Sequence, residues 1–227
     1  MSLLVDAAVR RFRAGRMRRF LAAFGVNVRT RVLDVGGTPL NWLLAPIRPR
    51  VTLVNMPRAK EPLPAGFEMV FATGSVLPFP DRAFDIVFSN SVIEHIGDPA
   101  ARQRFAEEVR RVGRSYWVET PNRRFPVEPH LCTPFLHFLP RRWQEWVVRR
   151  GTVWDALERP TPDRREYYIG HYLGEVRLLD AAELSHLFPE ARILRERFLG
   201  MTKSLIAVHA GAPSSGRAGQ ETYAIPS

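Results

Sequence analysis

Val32-Leu33-Asp34-Val35-Gly36-Gly37-Thr38-Pro39 joins a short run of branched apolar residues to a two-glycine turn. Such a near-continuous apolar run suits a strand buried on both faces of a sheet. The glycines let the backbone approach a ligand or a neighbouring element closely. Three further runs repeat the pattern: Val51-Thr52-Leu53-Val54, Met69-Val70-Phe71-Ala72 and Phe84-Asp85-Ile86-Val87-Phe88, each bounded by Gly, Pro or Asn. Helical signals come between and after them. Asp98-Pro99 is a cap followed by proline, and Ala101, Phe105, Val109 and Val112 then keep one stripe. Tyr116-Trp117-Val118 reads as the next strand. Asp180 and Glu183 are spaced as a capping box, and Ile193 to Phe198 and Ser204 to Val208 read as two closing strands. Alternating strands and helices predict an α/β sheet with helices on both faces. Ligands of such sheets gather at the carboxyl ends of the strands.

Ahead of the first strand, Leu3 to Phe24 reads as a helix with Met17, Phe20, Leu21 and Phe24 on one face. Arg13 shares that face and Gly15 marks an expected break. Residues 1–27 are thus expected to be a basic N-terminal helical segment and 28–210 the main domain. Residues 211–227, rich in Gly, Ala, Pro and Ser, are expected to be a disordered tail. Asn122 to Val176 holds three tryptophans, three tyrosines and three histidines with no clean strand. An insertion of this length between strands reads as a lid.

Composition removes several classes. The 227 residues fit one large domain or two small ones. Cys132 is the single cysteine, so neither an intrachain disulfide nor a thiolate metal cluster can form. No apolar run approaches the ~20 residues of a membrane span. Arg10, Arg11 and Arg13 follow the mildly apolar start, the reverse of a signal peptide, and a cytoplasmic location is expected. No Gly-Lys-Ser/Thr follows the glycines, against a phosphate-binding loop. The six histidines show no paired ligand spacing, so no metal is expected.

The order of motifs decides further. Gly74-Ser75-Val76-Leu77-Pro78-Phe79 is followed by Phe84-Asp85-Ile86-Val87-Phe88-Ser89-Asn90-Ser91-Val92-Ile93-Glu94-His95. After the Asp34–Gly37 turn, this series resembles the class I S-adenosylmethionine-dependent methyltransferases, in particular the small-molecule and ubiquinone-type group. The resemblance spans about Arg31 to Glu119 and, more weakly, continues to about His209. It implies a Rossmann-like, mostly parallel seven-stranded sheet with a lid insertion, and S-adenosylmethionine as cofactor. Carried over by position, Asp34, Gly36 and Gly37 would line the methionine part. Asn55 stands where an acidic residue usually grips the ribose. Gly74, Ser75 and Val76 would face the adenine, and Ser89, Asn90 and Ser91 would close over the sulfonium. Asn55 and Ser75 replace acidic residues, which leaves a catalytically inactive binding protein as an alternative.

Methyl transfer needs alignment of the acceptor with the sulfonium and exclusion of water, plus a base where the acceptor has a proton to lose. His95, after the fourth strand, and His130, beside Glu128, are the expected bases, each weighed against a purely structural role. His171, among Tyr167, Tyr168 and Tyr172, is a third candidate. Asn122 and Glu128-Pro129-His130 look like a subgroup's substrate loop. The acceptor is expected to be an oxygen or carbon of a small or lipid-linked molecule. The Asn/Asp-Pro-Pro-aromatic tetrad of amino-group enzymes is absent, Asn90 being followed by Ser-Val-Ile.

Charge qualifies the choice of partner. Lysine and arginine number 33 against 23 acidic residues, a net charge of +10, and Lys60 and Lys203 are the only lysines. RNA methylation would account for that charge, but no RNA-binding module is recognisable, and nucleic acid is not the expected partner. Arg141, Arg142, Arg149 and Arg150 flank Trp143 and Trp146. That segment is either an interfacial helix making a peripheral membrane contact or a lid helix with its tryptophans packed inward.

Overall fold

The computed structural model describes residues 3–56 and 63–211, with side chains from Arg13 onward. The expected tail beyond residue 211 lies outside the described residues. Strands β1 (Arg31–Val35), β2 (Arg50–Asn55), β3 (Phe67–Phe71), β4 (Phe84–Asn90) and β5 (Gly113–Pro121) are joined at the far edge by β8 (Arg192–Phe198) and β9 (Met201–His209). Their order is β3-β2-β1-β4-β5-β9-β8, with β9 antiparallel to both of its neighbours. The mostly parallel seven-stranded sheet is therefore present. The chain leaves β1 toward β2 on one side and later returns to place β4 on the other. The crevice between the carboxyl ends of β1 and β4 is thus the topological switch point, where open α/β sheets bind ligands.

Strand periodicity divides the core. Leu33, Val35, Val87, Tyr116 and Val118 face α3 (Pro99–Val112) and α7 (Ala181–Leu187) on one side of the sheet. Val32, Ile86, Phe88 and Trp117 face α1 (Leu3–Phe24) on the other, beside α2 (Pro39–Leu43). Asp98 caps α3 by accepting from the Ala100 and Ala101 amides, and Asp180 and Glu183 form the expected box at α7.

α1 departs from expectation in one respect. It runs unbroken through Gly15, where a side chain would meet nothing within 4 Å. Glycine lowers helix propensity by about 1 kcal/mol, a cost that packing offsets. Met17, Phe20 and Leu21 are buried with Val32, Leu53, Phe88 and Trp117. Phe20 meets Phe88 at 4.8 Å and Trp42 and Trp117 at 5.9 Å, each edge-on. The basic N-terminal helix is thus part of the sheet's core.

The lid is a small body with its own centre. A hairpin of β6 (Val127–Glu128) and β7 (Thr133–Pro134) leads into α4 (Arg141–Arg150), α5 (Val153–Glu158) and α6 (Pro162–Gly174). Leu131, Leu136, Val148, Trp154, Ile169 and Tyr172 form the centre, and an Asn122–Leu179 bridge closes the base. On α4 it is Val148 that turns inward; Trp143 and Trp146 are each 48% exposed, against the inward-packing reading. The Arg150 guanidinium lies 4.2 Å over Trp146. Among the described residues no helix is long and apolar enough to cross a membrane.

Candidate active site at the switch point of the sheet

A cavity of about 620 Å³ opens at the carboxyl ends of β1, β4 and β5. The turn after β1 supplies Gly36, Gly37 and Thr38, and the end of β4 supplies Asn90 and Ser91. Arg13 and Arg16 enter from α1, Lys203 and Ser204 from β9, and Asn122, Phe125, Pro129 and Cys132 from the lid. Gly36, Gly37, Asn90, Ser91 and Asn122 of the expected site thus come together.

Both glycines are required by what surrounds them. Gly36 has φ +75°, and a Cβ there would collide with Val92. A Cβ on Gly37 would collide with the Asp34 carboxylate beneath it. Asp34 itself is fully buried under the turn, where its Oδ2 accepts from Trp42 Nε1 at 2.7 Å and its Oδ1 has no hydrogen-bond partner among the described residues. Burial pushes its carboxyl up to about 7, only partly offset by the Trp42 hydrogen bond.

Other expected residues stand behind the lining. Ser89 is buried and its Oγ donates to Val35 O at 3.1 Å, tying β4 to β1. Asn55 Nδ2 donates to Gly37 O at 3.1 Å, so the amide braces the first turn and keeps its oxygen as an acceptor. Ser75 Oγ donates to Ala101 O, and Gly74 lies where a Cβ would come within 2.7 Å of Phe105. Apolar side chains nevertheless face outward near Asn55. Met56 is 60% and Phe71 61% exposed at the ends of β2 and β3, and Val76, in the turn that follows β3, is 67% exposed.

Sequence reasoning missed the charged floor of the cavity. Arg16 donates to Asn90 Oδ1 at 2.6 Å, Glu119 Oε2 at 3.0 Å and Glu196 Oε2 at 2.6 Å. Ser91 Oγ also donates to Glu119 at 3.3 Å. Burial outweighs Arg16 and holds Glu119 above the ordinary carboxylate range. Burial, with Arg16's charge nearby, holds Lys203 below its ordinary value. A glutamate inside the buried run before Thr120-Pro121 was the available signal, as was an arginine next to the stripe of α1.

The expected bases are placed differently. His95, in the 3-10 turn Ile93–His95, and His130, between β6 and β7, lie outside the cavity's lining, as do Glu128 and His171. Close contacts of ring nitrogens and carboxylates join them to one another. His130 Nδ1 is 2.7 Å from Glu128 Oε1, and His130 Nε2 is 3.3 Å from His95 Nε2. His95 Nδ1 is 2.9 Å from His171 Nε2, whose own Nδ1 is 2.9 Å from Glu175. Burial lowers His130's affinity for a proton, but Glu128 and then Glu94 overcome this and hold it above its ordinary value. Beside them Glu94 is fully buried, with Oε2 accepting from Thr120 at 3.0 Å. Burial pushes Glu94 up to about 7.

Comparison with known proteins bears on the same segment. Residues 47–115 match the family described as methyltransferase domain. The uncharacterised protein MT1557 of Mycobacterium tuberculosis (strain CDC 1551 / Oshkosh) is 43% identical over 54 residues, 24% of this chain. The chain spans about a fifth of the length of that curated relative, 18%. Among solved structures, the Burkholderia thailandensis 1,6-didemethyltoxoflavin-N1-methyltransferase, with bound 1,6-didemethyltoxoflavin and S-adenosylhomocysteine, has a TM-score of 0.51 at 14% identity. That likeness covers 91% of this chain and 80% of the enzyme. The [4+2]-cyclase SpnF has a TM-score of 0.50 at 13% identity, covering 88% and 81%. At such identities the likeness is one of fold, and the cyclase illustrates that one fold hosts different chemistry. Residues 47–115 are similar to a methyltransferase domain, the whole chain has a Rossmann-like fold, and the cavity beside β1 and β4 lies where such sheets bind ligands.

Proposed function

We propose that the protein transfers a methyl group from S-adenosylmethionine to an oxygen or carbon of a small or lipid-linked acceptor. The observation that carries this reading is the cavity at the β1/β4 switch point, lined by Gly36, Gly37, Asn90 and Ser91 in a chain whose residues 47–115 match a methyltransferase domain. These residues suit the amino-acid end of the cofactor. Met56, Phe71 and Val76 offer the apolar cover that an adenine face needs, with the Asn55 oxygen available to a ribose hydroxyl. When bound, the cofactor supplies an activated methyl group.

The chain's own part is to orient and to dry the site. Pro129, Cys132 and Phe125 of the lid cover the cavity, and Arg16 fixes Asn90 and Glu119 relative to one another. Where the acceptor has a proton to lose, Glu119 is the better placed base. It lines the cavity, and its raised proton affinity suits the role. His95 and His130 would act from outside that lining, by positioning the lid.

The lipid-linked acceptor rests on one further observation. Phe135, Phe138, Trp143 and Trp146 are 48–61% exposed on the lid beside Arg141, Arg142, Arg149 and Arg150. Aromatic and basic groups on one face suit an anionic membrane surface, from the cytoplasmic side. Labelled-methyl transfer assays with hydroxylated small molecules, a lipid extract and RNA test the reading. Label in the first two pools is expected; label in RNA alone, or in none, overturns it. Flotation with anionic vesicles at low salt tests the surface, and a wholly soluble protein contradicts it.

A further inference from the structure

The histidine cluster has an electrostatic problem that its hydrogen bonds create. The Glu128 carboxylate accepts from His130 Nδ1 and from the Leu131 amide, so the neutral His130 ring turns the lone pair of Nε2 outward. From the other end, Glu175 accepts from His171 Nδ1. His171 Nε2 then accepts from His95 Nδ1, and the lone pair of His95 Nε2 faces outward too. The tautomers follow from the network. Two lone pairs therefore meet across 3.3 Å, with the buried Glu94 carboxylate beside them and its Oε1 without a hydrogen-bond partner among the described residues. A Glu94 oxygen, a His95 ring nitrogen and a His130 ring nitrogen all lie within 4.8 Å of one another.

From this juxtaposition we infer a binding site for a divalent first-row transition ion, zinc by donor set, ligated by Glu94, His95 Nε2 and His130 Nε2. Three negative or lone-pair-bearing groups converge, with one ligand atom of each within 4.8 Å of the others. Two imidazoles and one carboxylate form a set that zinc accepts while keeping a fourth position open. Two nitrogens on a tetrahedral ion, each about 2.0–2.1 Å from it, stand about 3.3 Å apart, which matches the separation of the facing rings. Glu128 then serves as the carboxylate behind the histidine, fixing its tautomer. A shared proton would relieve the two rings but leave Glu94 Oε1 unserved. The local spacing of histidines predicted no metal because the ligands come from two segments, the turn after β4 and the lid hairpin.

The site would hold the lid against the sheet, since Glu94 and His95 belong to the frame and His130 to the lid. It is independent of the methyl-transfer reading. Chelator-treated full-length protein titrated with zinc, and with cobalt for its visible ligand-field bands, is the test. One ion per chain is expected, with a higher melting temperature on zinc addition. Glu94→Gln and His130→Asn should each weaken uptake at least ~10-fold, and Glu128→Gln roughly 10- to 100-fold through the ring it orients. His186→Ala should leave uptake unchanged. Circular dichroism checks each fold, and His130, 18% exposed, is the milder site should Glu94→Gln fail to fold. No stoichiometric uptake, as a shared proton would give, overturns the site. Uptake indifferent to both ligand variants does so as well.

Discussion

The sheet and the lid surround one cavity but are held together by different means. In the sheet every central strand is packed on both faces, and the charges that meet at the floor of the cavity are buried and mutually paired. Arg16 reaches across from α1 to Glu119 and Glu196, which are 1% and 4% exposed. The lid has one small apolar centre and is tied by caps and partly exposed ion pairs. Thr152 and Asp155 form a capping box, and Arg165 bonds Asp155 at 2.9 Å with both side chains partly exposed, 28% and 18%. A buried pair broken on one side leaves an uncompensated charge, whereas a solvated pair relaxes into water. The contrast predicts a rigid frame presenting the cavity and a cover that is cheap to alter.

The largest effect expected is that of Arg16→Met, which strands Glu119 and Glu196 in the core. A loss of about 3–5 kcal/mol is typical for such a break, and at roughly 2–4 °C per kcal/mol the melting temperature should fall by about 10 °C. A fall of a degree or two would mean that α1 is held by its apolar face alone. Asp34 comes next. Its folded carboxyl lies near 7, above its ordinary 3.8, so the stabilisation from its bound proton is complete below about pH 4 and lost as pH rises through 7. Cofactor-free Asp34→Asn should therefore lose less stability than the natural chain between pH 5 and pH 8, in thermal melts across that range.

The lid counterparts are smaller. Arg165→Met should cost about 1 kcal/mol, read as faster proteolytic cleavage near α5 with little change in global melting. An effect matching that of Arg16→Met would abolish the distinction between the two regions. Trp143→Ser, on the exposed face of α4, should shift stability by no more than about 0.5 kcal/mol. A large loss would mean that the tryptophan is structural after all.

This difference also governs what could be read from the residues alone. Runs such as Val32–Val35 and Phe84–Phe88 are buried on two faces, so their apolar character is continuous and their order gives the sheet. The Asp98-Pro99 and Asp180/Glu183 caps are local chemistry and were equally legible. Arg16 and Glu119 were half legible, as charges set into buried patterns. His95, His130 and His171 lie on three separate segments, and their encounter depends on how the lid folds back, which no spacing rule records. Trp143 and Trp146 have a composition that suits either face of a helix, and Val148 alone decides which face turns inward. Glu94 carried no sign of its burial, because the short turn holding it has no period.

Calorimetric titration of the full chain with S-adenosylhomocysteine asks whether the cavity is a cofactor site without needing the acceptor. Saturable binding of one molecule per chain is predicted; absence of binding at millimolar ligand would contradict the account.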